Sequence, residues 1–161
     1  MKIFGKSLSE YTAFARVMLA AIGIIGILRL VLSLAGVPNG TVRWLSMSVV
    51  VLLGVIYLGV QASKTGFGTY RHLLPLMVLQ SGLANAIAAL GILVSIFTGG
   101  INIFTAPEYS GGGPGNTWFH FGAHIVAGLV VFPVILWALS SLTMLIAKKL
   151  GASQTKAPAG A

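Results

Sequence analysis

Two histidines in the last third of the chain have the type and spacing that best suit chemistry. Asn116, His120 and His124 recur every four residues, so they would share one face of a helix that begins as early as Asn116. Two imidazoles at positions i and i+4 can hold one metal ion, with Glu108 or a water as a further ligand. An alternative is that the two histidines bind a proton or contact the head group of a quinone. The spacing alone favours ordinary interfacial hydrogen bonding.

Haem ligation by this chain alone is disfavoured by the same spacing. Two axial ligands approach a porphyrin from opposite sides, whereas His120 and His124 project from one helix in similar directions. His72 is expected at the opposite end of its own helix, a membrane thickness away. The sequence therefore requires no cofactor, and it leaves metal, haem and quinone open as alternatives.

A second group of polar residues lies inside the third apolar run of the sequence. Asn85 falls near the midpoint of that run, with Ser81 one turn earlier on the same face and Gln80 on an adjacent face. A buried amide in hydrocarbon needs partners, and an interhelical hydrogen bond contributes about 1 kcal/mol or less. These three side chains either join helices or line a path for a ligand or solute.

One base and one proline interrupt the apolar runs. Arg29 lies about 7 Å from the centre of the first predicted helix, close enough to one end for its side chain to reach lipid head groups. Glu108 is the only acid expected on that side, so an Arg29–Glu108 ion pair is a specific hypothesis. Pro133, near the middle of the last run, cannot donate to the carbonyl of Leu129 and predicts a helix bend.

The signatures of the common enzyme classes are missing from the sequence. The chain has no Cys and no Asp, which excludes thiol chemistry, a Ser-His-Asp triad and a paired-aspartate site. It contains no P-loop, no dinucleotide-binding fingerprint and no HExxH motif. Hydrolytic or nucleotide-driven chemistry is therefore disfavoured, and the balance leans against an enzyme.

The elements that must position these residues are four long apolar runs. Of the 161 residues, 57% are hydrophobic and only 7% are charged, and the mean hydropathy is +0.96. A soluble domain carries about a quarter charged residues, so this chain cannot cover a water-facing surface. Since a helix needs about 20 apolar residues to cross a bilayer, we predict four transmembrane helices, at residues 13–35, 44–62, 72–98 and 118–147.

The predicted fold class is an all-α integral membrane protein, an antiparallel up-down bundle of four helices. The bundle spans residues 13–148 and follows a cytoplasmic segment, residues 1–12. Its Gly-rich outer loop, residues 99–117, either is mobile or is held by its neighbours, and a disordered basic tail covers residues 149–161. Eight of the ten Lys and Arg residues lie on the side that holds both termini, so the positive-inside rule places both termini in the cytoplasm.

Three classes of function remain open. We favour a non-catalytic accessory or structural subunit of a larger membrane complex, in a bacterial inner membrane, because the chain lacks soluble domains and signature motifs. The alternatives are a small transporter or channel lined by Gln80, Ser81 and Asn85, and a redox-linked component that uses His120 and His124. The net charge of +8 is scattered at the ends of apolar runs, which indicates lipid head groups and not nucleic acid as partners. Other membrane subunits are the partners expected of an accessory subunit.

Overall fold

The computed structural model describes residues 2–154, and nearly all of its regular structure is helical. Two short antiparallel strands precede the first helix, one 3-10 turn lies in a loop, and one π turn separates the last two helices. The elements are β1 (Lys2–Ile3), β2 (Lys6–Ser7), α1 (Leu8–Leu34), α2 (Asn39–Val42), α3 (Met47–Thr65), α4 (Tyr70–Thr98), the 3-10 turn (Pro107–Tyr109), α5 (Trp118–Val126), the π turn (Ala127–Val131) and α6 (Phe132–Gln154).

Four helical segments among the described residues are long and apolar enough to cross a membrane. Their mean hydropathies lie between 1.8 and 2.5. The segment from α5 through the π turn into α6 counts as one of them, because it continues as a helix from Trp118 to Gly151. The prediction of an all-helical chain with four such helices is confirmed.

The helix ends differ from the predicted ones. The first long helix begins at Leu8 and not at residue 13, because Ser7 and Glu10 form a capping box at its amino end. The last helix continues to Gln154, so residues 149–154 of the predicted tail are helical. The remainder of that tail, residues 155–161, lies outside the described residues.

Helix α4 is the centre of the bundle. It packs against α1, α3, α5, the π turn and α6, and half of its most apolar stretch is buried. In α1 the corresponding share is 17%. The core therefore follows α4, and α1 presents most of its apolar surface outward.

The contacts at the two ends of the bundle show that successive long helices run in alternate directions. At the terminal end (residues 2–7 and 66–69), the Tyr11 hydroxyl donates to the Ile3 carbonyl at 2.9 Å, and Nε2 of buried His72 donates to the Phe4 carbonyl at 3.0 Å. At the opposite end, the loop end (residues 35–46 and 99–117), Ser33 accepts from the backbone N–H of residue 103 at 2.8 Å. The strand pair thus closes one end of the bundle, and the two longest loops close the other.

The first part of the Gly-rich loop, residues 99–117, is held by its neighbours through a buried polar network. Asn102 is fully buried, and its Nδ2 donates to the Gly91 carbonyl at 2.7 Å and to Ser95 Oγ at 2.8 Å. Its Oδ1 accepts from the backbone N–H of Phe104 at 2.9 Å. These bonds fix the first part of the loop against the end of α4.

A π turn lies directly before the helical turn that contains Pro133. The N–H of Phe132 donates to the carbonyl of Ala127, five residues back, and buried Pro133 follows as the second residue of α6. A widened turn of this kind accommodates a residue that has no N–H to donate.

Candidate functional site

A cleft of about 410 Å³ lies toward the loop end of the bundle, between α1, α3, α4 and the last helix. Eight of its thirteen lining residues are apolar. This volume and composition are typical of sites for small molecules. The polar residues that line it are Arg29, Ser48, Ser81, Asn85 and His124.

Arg29 brings a positive charge to the cleft from α1. Its Nη1 donates to the carbonyl of Leu45 at 3.3 Å, and its guanidinium carbon lies 5.4 Å from the centre of the Phe104 ring. Its Nε is buried and has no hydrogen-bond partner among the described residues. The guanidinium is therefore covered by an aromatic ring and still has an N–H without an acceptor.

Arg29 and Glu108 do not form an ion pair in this structure. Within residues 2–154 the one ion pair joins Lys6 to Glu10, and Glu108 is exposed on the 3-10 turn. The two side chains do not meet because the hydrogen bonds of Asn102 turn the start of the loop inward and place Phe104 beside Arg29. The 3-10 turn that carries Glu108 lies on the surface.

Asn85 and His124 are joined across the helix interface. Nδ1 of His124 lies 2.8 Å from Oδ1 of Asn85, and Nδ2 of Asn85 donates to the Ser81 carbonyl at 2.9 Å. Because the amide oxygen faces the imidazole and can only accept, Nδ1 of His124 carries the proton. In the neutral ring, Nε2 then presents a lone pair, and no described residue donates to it.

His120 lies one turn before His124 and has the same hydrogen-bond pattern. Its Nδ1 donates to the Gly115 carbonyl at 2.6 Å, and its backbone N–H donates to the Thr117 hydroxyl at 3.1 Å. The centres of the two imidazole rings are 4.9 Å apart, with the ring planes at 47°. The i, i+4 face predicted from the sequence is therefore formed by the two histidines.

Asn116 and Glu108 do not join that face. Helix α5 begins at Trp118 with Thr117 as its N-cap, so Asn116 precedes the helix and is exposed. In the described part of the chain, no three residues of the His, Asp and Glu types come together as a metal-binding group. The structure thus unites only two of the four residues that the sequence suggested as metal or cofactor ligands.

Gln80 lies apart from the cleft, at the contact between α3 and α4. Its side chain is fully buried against Gly54, and its Nε2 contacts Met77 Sδ at 3.6 Å. Its Oε1 has no hydrogen-bond partner among the described residues. Ser81 and Asn85 line the cleft and Gln80 does not, so the three do not form one common path.

Two residues that shape the site, Phe104 and Gly128, were not predicted from the sequence. Phe104 is a single aromatic in a loop, and no local pattern marks it. Gly128 lies four residues after His124, on the same helical face, which was a usable signal. A Cβ at Gly128 would come within 2.5 Å of the Cβ of Asn85, so this glycine lets the last helix approach α4 closely enough for the Asn85–His124 hydrogen bond.

The site offers two kinds of polar group in a mostly apolar cleft. Arg29 supplies N–H donors, and Nε2 of His124 supplies an acceptor that Asn85 orients. Such an arrangement can hold a small molecule that carries oxygen atoms at one end. Comparison of the chain with protein-family models, with curated proteins and with solved structures finds no match, so these contacts alone carry the functional interpretation.

Proposed function

We propose that this protein is an integral membrane protein that binds a small amphipathic molecule in the cleft. The head group of the ligand carries oxygen atoms and contacts Arg29, and its apolar part lies against α3 and α6. Four apolar helices and the apolar side chains that they expose support the membrane location. The excess of basic residues on the side of the termini supports an orientation with both termini in the cytoplasm of a bacterium, which puts the cleft in the outer half of the membrane.

The unpartnered Nε of Arg29 is the observation that carries the proposal. A buried donor without an acceptor costs about 1–3 kcal/mol, and more when the group is charged. The Arg29 side chain lines the cleft, so a ligand oxygen in the cleft would bring an acceptor to the guanidinium group. The apolar lining of the cleft would at the same time take the apolar part of the same molecule out of water or lipid.

Two classes of ligand share the required chemistry. A fatty acid presents a carboxylate, which guanidinium binds by charge-assisted hydrogen bonds. A quinone presents carbonyl oxygens to Arg29, and its reduced form also presents a hydroxyl that can donate to Nε2 of His124. Both head groups accept hydrogen bonds from Arg29, and only the quinol uses the histidine as an acceptor.

The test is ligand binding to the purified chain in nanodiscs of zwitterionic lipid. Dodecanoate and decylubiquinone, the latter in oxidised and reduced form, are titrated separately and followed by calorimetry. We expect saturable binding of at least one of them and a loss of about tenfold or more in Arg29→Gln, since hydrogen bonds to charged groups contribute about 1.5–3 kcal/mol.

Arg43→Gln is the matched control, because Arg43 is exposed and its guanidinium lies over the Trp44 ring, away from the cleft lining. This variant is expected to bind like the parent chain. A preference for the acid or for the quinol identifies the head group. Absence of saturable binding for all of the compounds, or equal losses in the two variants, would refute the proposal.

An accessory role in a larger membrane complex is our second proposal, and the surface of α1 supports it. Ala20 is exposed, and a Cβ at Gly23 would meet no atom within 4 Å. The other glycine of this helix, Gly26, is already covered by the side chains of Met47 and Ile87. The outward part of α1 therefore has room for a helix from another chain to approach closely.

Because the chain has no cysteine, single-cysteine crosslinking in native membranes tests this role. Ala20→Cys is expected to give a specific adduct with another membrane protein, to be identified by mass spectrometry. Ala15→Cys is the control, because Ala15 is fully buried in the bundle. An Ala20→Cys chain that forms no protein adduct would contradict a partner on this face.

A further inference from the structure

We infer that His120 and His124 form a binding site for a divalent transition-metal ion beside the cleft. The site uses Nε2 of both rings and does not depend on the proposed amphipathic ligand. A bound ion would occupy the lone pair of His124, so it would exclude the quinol contact to this residue. The inference rests on the hydrogen bonds of the two rings, on the distance between them and on the chemistry of imidazole.

Both imidazoles are held in the form that metal ligation needs. In each ring Nδ1 donates to an oxygen that can only accept, the Gly115 carbonyl for His120 and the Asn85 amide oxygen for His124. Nε2 of each neutral ring therefore has a free lone pair. Metal-bound histidines almost always have such an oxygen partner on the second nitrogen, because it fixes the ring orientation and raises the basicity of the ligating nitrogen.

The distance between the rings matches a shared ion. With a metal–nitrogen distance of about 2.0–2.1 Å, a ring centre lies about 3.2 Å from the ion, so two rings at a tetrahedral angle have centres about 5.2 Å apart. A right angle would give about 4.5 Å by the same construction. The observed 4.9 Å lies between these values, and the 47° between the planes shows that the rings are not stacked face to face.

The ligand set selects the class of ion. Imidazole nitrogen suits Zn²⁺, Cu²⁺ and Ni²⁺, whereas Ca²⁺ and Mg²⁺ require oxygen ligands. The described residues place no third His, Asp or Glu with the pair, so water or a small molecule completes the coordination. Two protein ligands predict an affinity well below that of structural sites with four protein ligands.

The experiment uses the full chain with a tag that contains no histidine, stripped of metal and reconstituted in nanodiscs. Zn²⁺ binding is measured by calorimetry, and Cu²⁺ is added for electron paramagnetic resonance, which counts the coordinated nitrogens. We expect one ion per chain with two equivalent nitrogens. We also expect at least tenfold weaker binding in His120→Gln and in His124→Gln.

Two further variants separate ligation from structure. Asn85→Ala should keep the two-nitrogen spectrum but bind about 10–100-fold more weakly, as loss of an outer hydrogen-bond partner does elsewhere. Arg29→Gln should leave metal binding unchanged, so failure of the amphipathic-ligand proposal and failure of this one are distinguishable. His72, whose two ring nitrogens are both used in hydrogen bonds, remains in every variant as an internal control.

Folding of each variant is checked by its helical circular dichroism. If a variant does not fold, the spectrum of the parent chain decides alone. A parent chain that shows no two-nitrogen signal overturns the site. A folded double variant, His120→Gln with His124→Gln, that binds Zn²⁺ as tightly as the parent also overturns it.

Discussion

Replacement of Asn102 by Ala tests whether the loop end of the bundle is built as the structure shows it. Asn102 is fully buried and makes three side-chain hydrogen bonds, two as donor to Gly91 and Ser95 and one as acceptor from Phe104. Asn102→Ala removes all three at once. It leaves the N–H of Phe104 without this partner in a buried position.

The expected loss of stability follows from those bonds. Hydrogen bonds between transmembrane helices contribute about 0.6 kcal/mol each on average, and hydrogen bonds in proteins generally contribute about 1 kcal/mol. Three bonds then amount to about 2–3 kcal/mol, if the contributions add. Phe104 should also lose its fixed position beside Arg29, so the cleft should bind the proposed amphipathic ligand more weakly.

The free energy of unfolding is measured by titration with dodecyl sulfate in mixed micelles and followed by circular dichroism. Asn116→Ala is the matched control, because Asn116 lies in the same loop and is exposed, and it should change stability by less than about 0.5 kcal/mol. Hydrogen exchange should also accelerate in residues 102–106 of the Asn102→Ala chain. Equal stabilities of the two variants would refute the proposed anchoring of the loop.

Three further variants test the packing in the same unfolding assay. Gly128→Ala should lower the free energy of unfolding by about 1–3 kcal/mol, because the added methyl group has no room against α4. The control Gly122→Ala lies on open helix surface and should be neutral or stabilise the chain by up to about 1 kcal/mol. Equal effects of the two changes would contradict the close approach of the last helix to α4. Gln80→Met should raise the free energy of unfolding by about 1 kcal/mol, since it removes a buried oxygen without a partner among the described residues. A marked decrease would contradict this account of the Gln80 side chain. Tyr11→Phe should lower the free energy of unfolding by about 1 kcal/mol and accelerate hydrogen exchange in residues 2–7. Unchanged exchange would show that the Tyr11 hydroxyl does not hold the strand pair.

The helices could be predicted from the sequence because hydropathy is a local property. Each apolar run gains transfer free energy from its own side chains, and each must satisfy its backbone hydrogen bonds within itself. The helix ends were predicted less accurately. The start at Leu8 was encoded in the sequence by Ser7 and Glu10, whose spacing is that of a capping box, but a search for apolar runs does not detect polar caps.

The candidate site could be predicted only in part. The shared face of His120 and His124 follows from a spacing of four residues and was predicted. The Arg29–Glu108 pair was inferred from the scarcity of acids, and the structure does not contain it, because the path of the loop, and not the number of charges, decides which side chains meet. The fixed position of the loop depends on Asn102, which reaches Gly91 eleven residues away.

The sequence by itself determined that the chain forms four long apolar helices and which faces carry Asn85 and His124, because both depend on neighbours within a few turns. The tertiary structure alone decided that these two side chains join, that Gln80 lies outside the cleft and that Arg29 meets Phe104. The physical reason is that such contacts depend on the rotation of one helix about its axis relative to the next. In this protein that rotation is set by close contacts such as Gly128 against Asn85, which no local pattern in the sequence specifies.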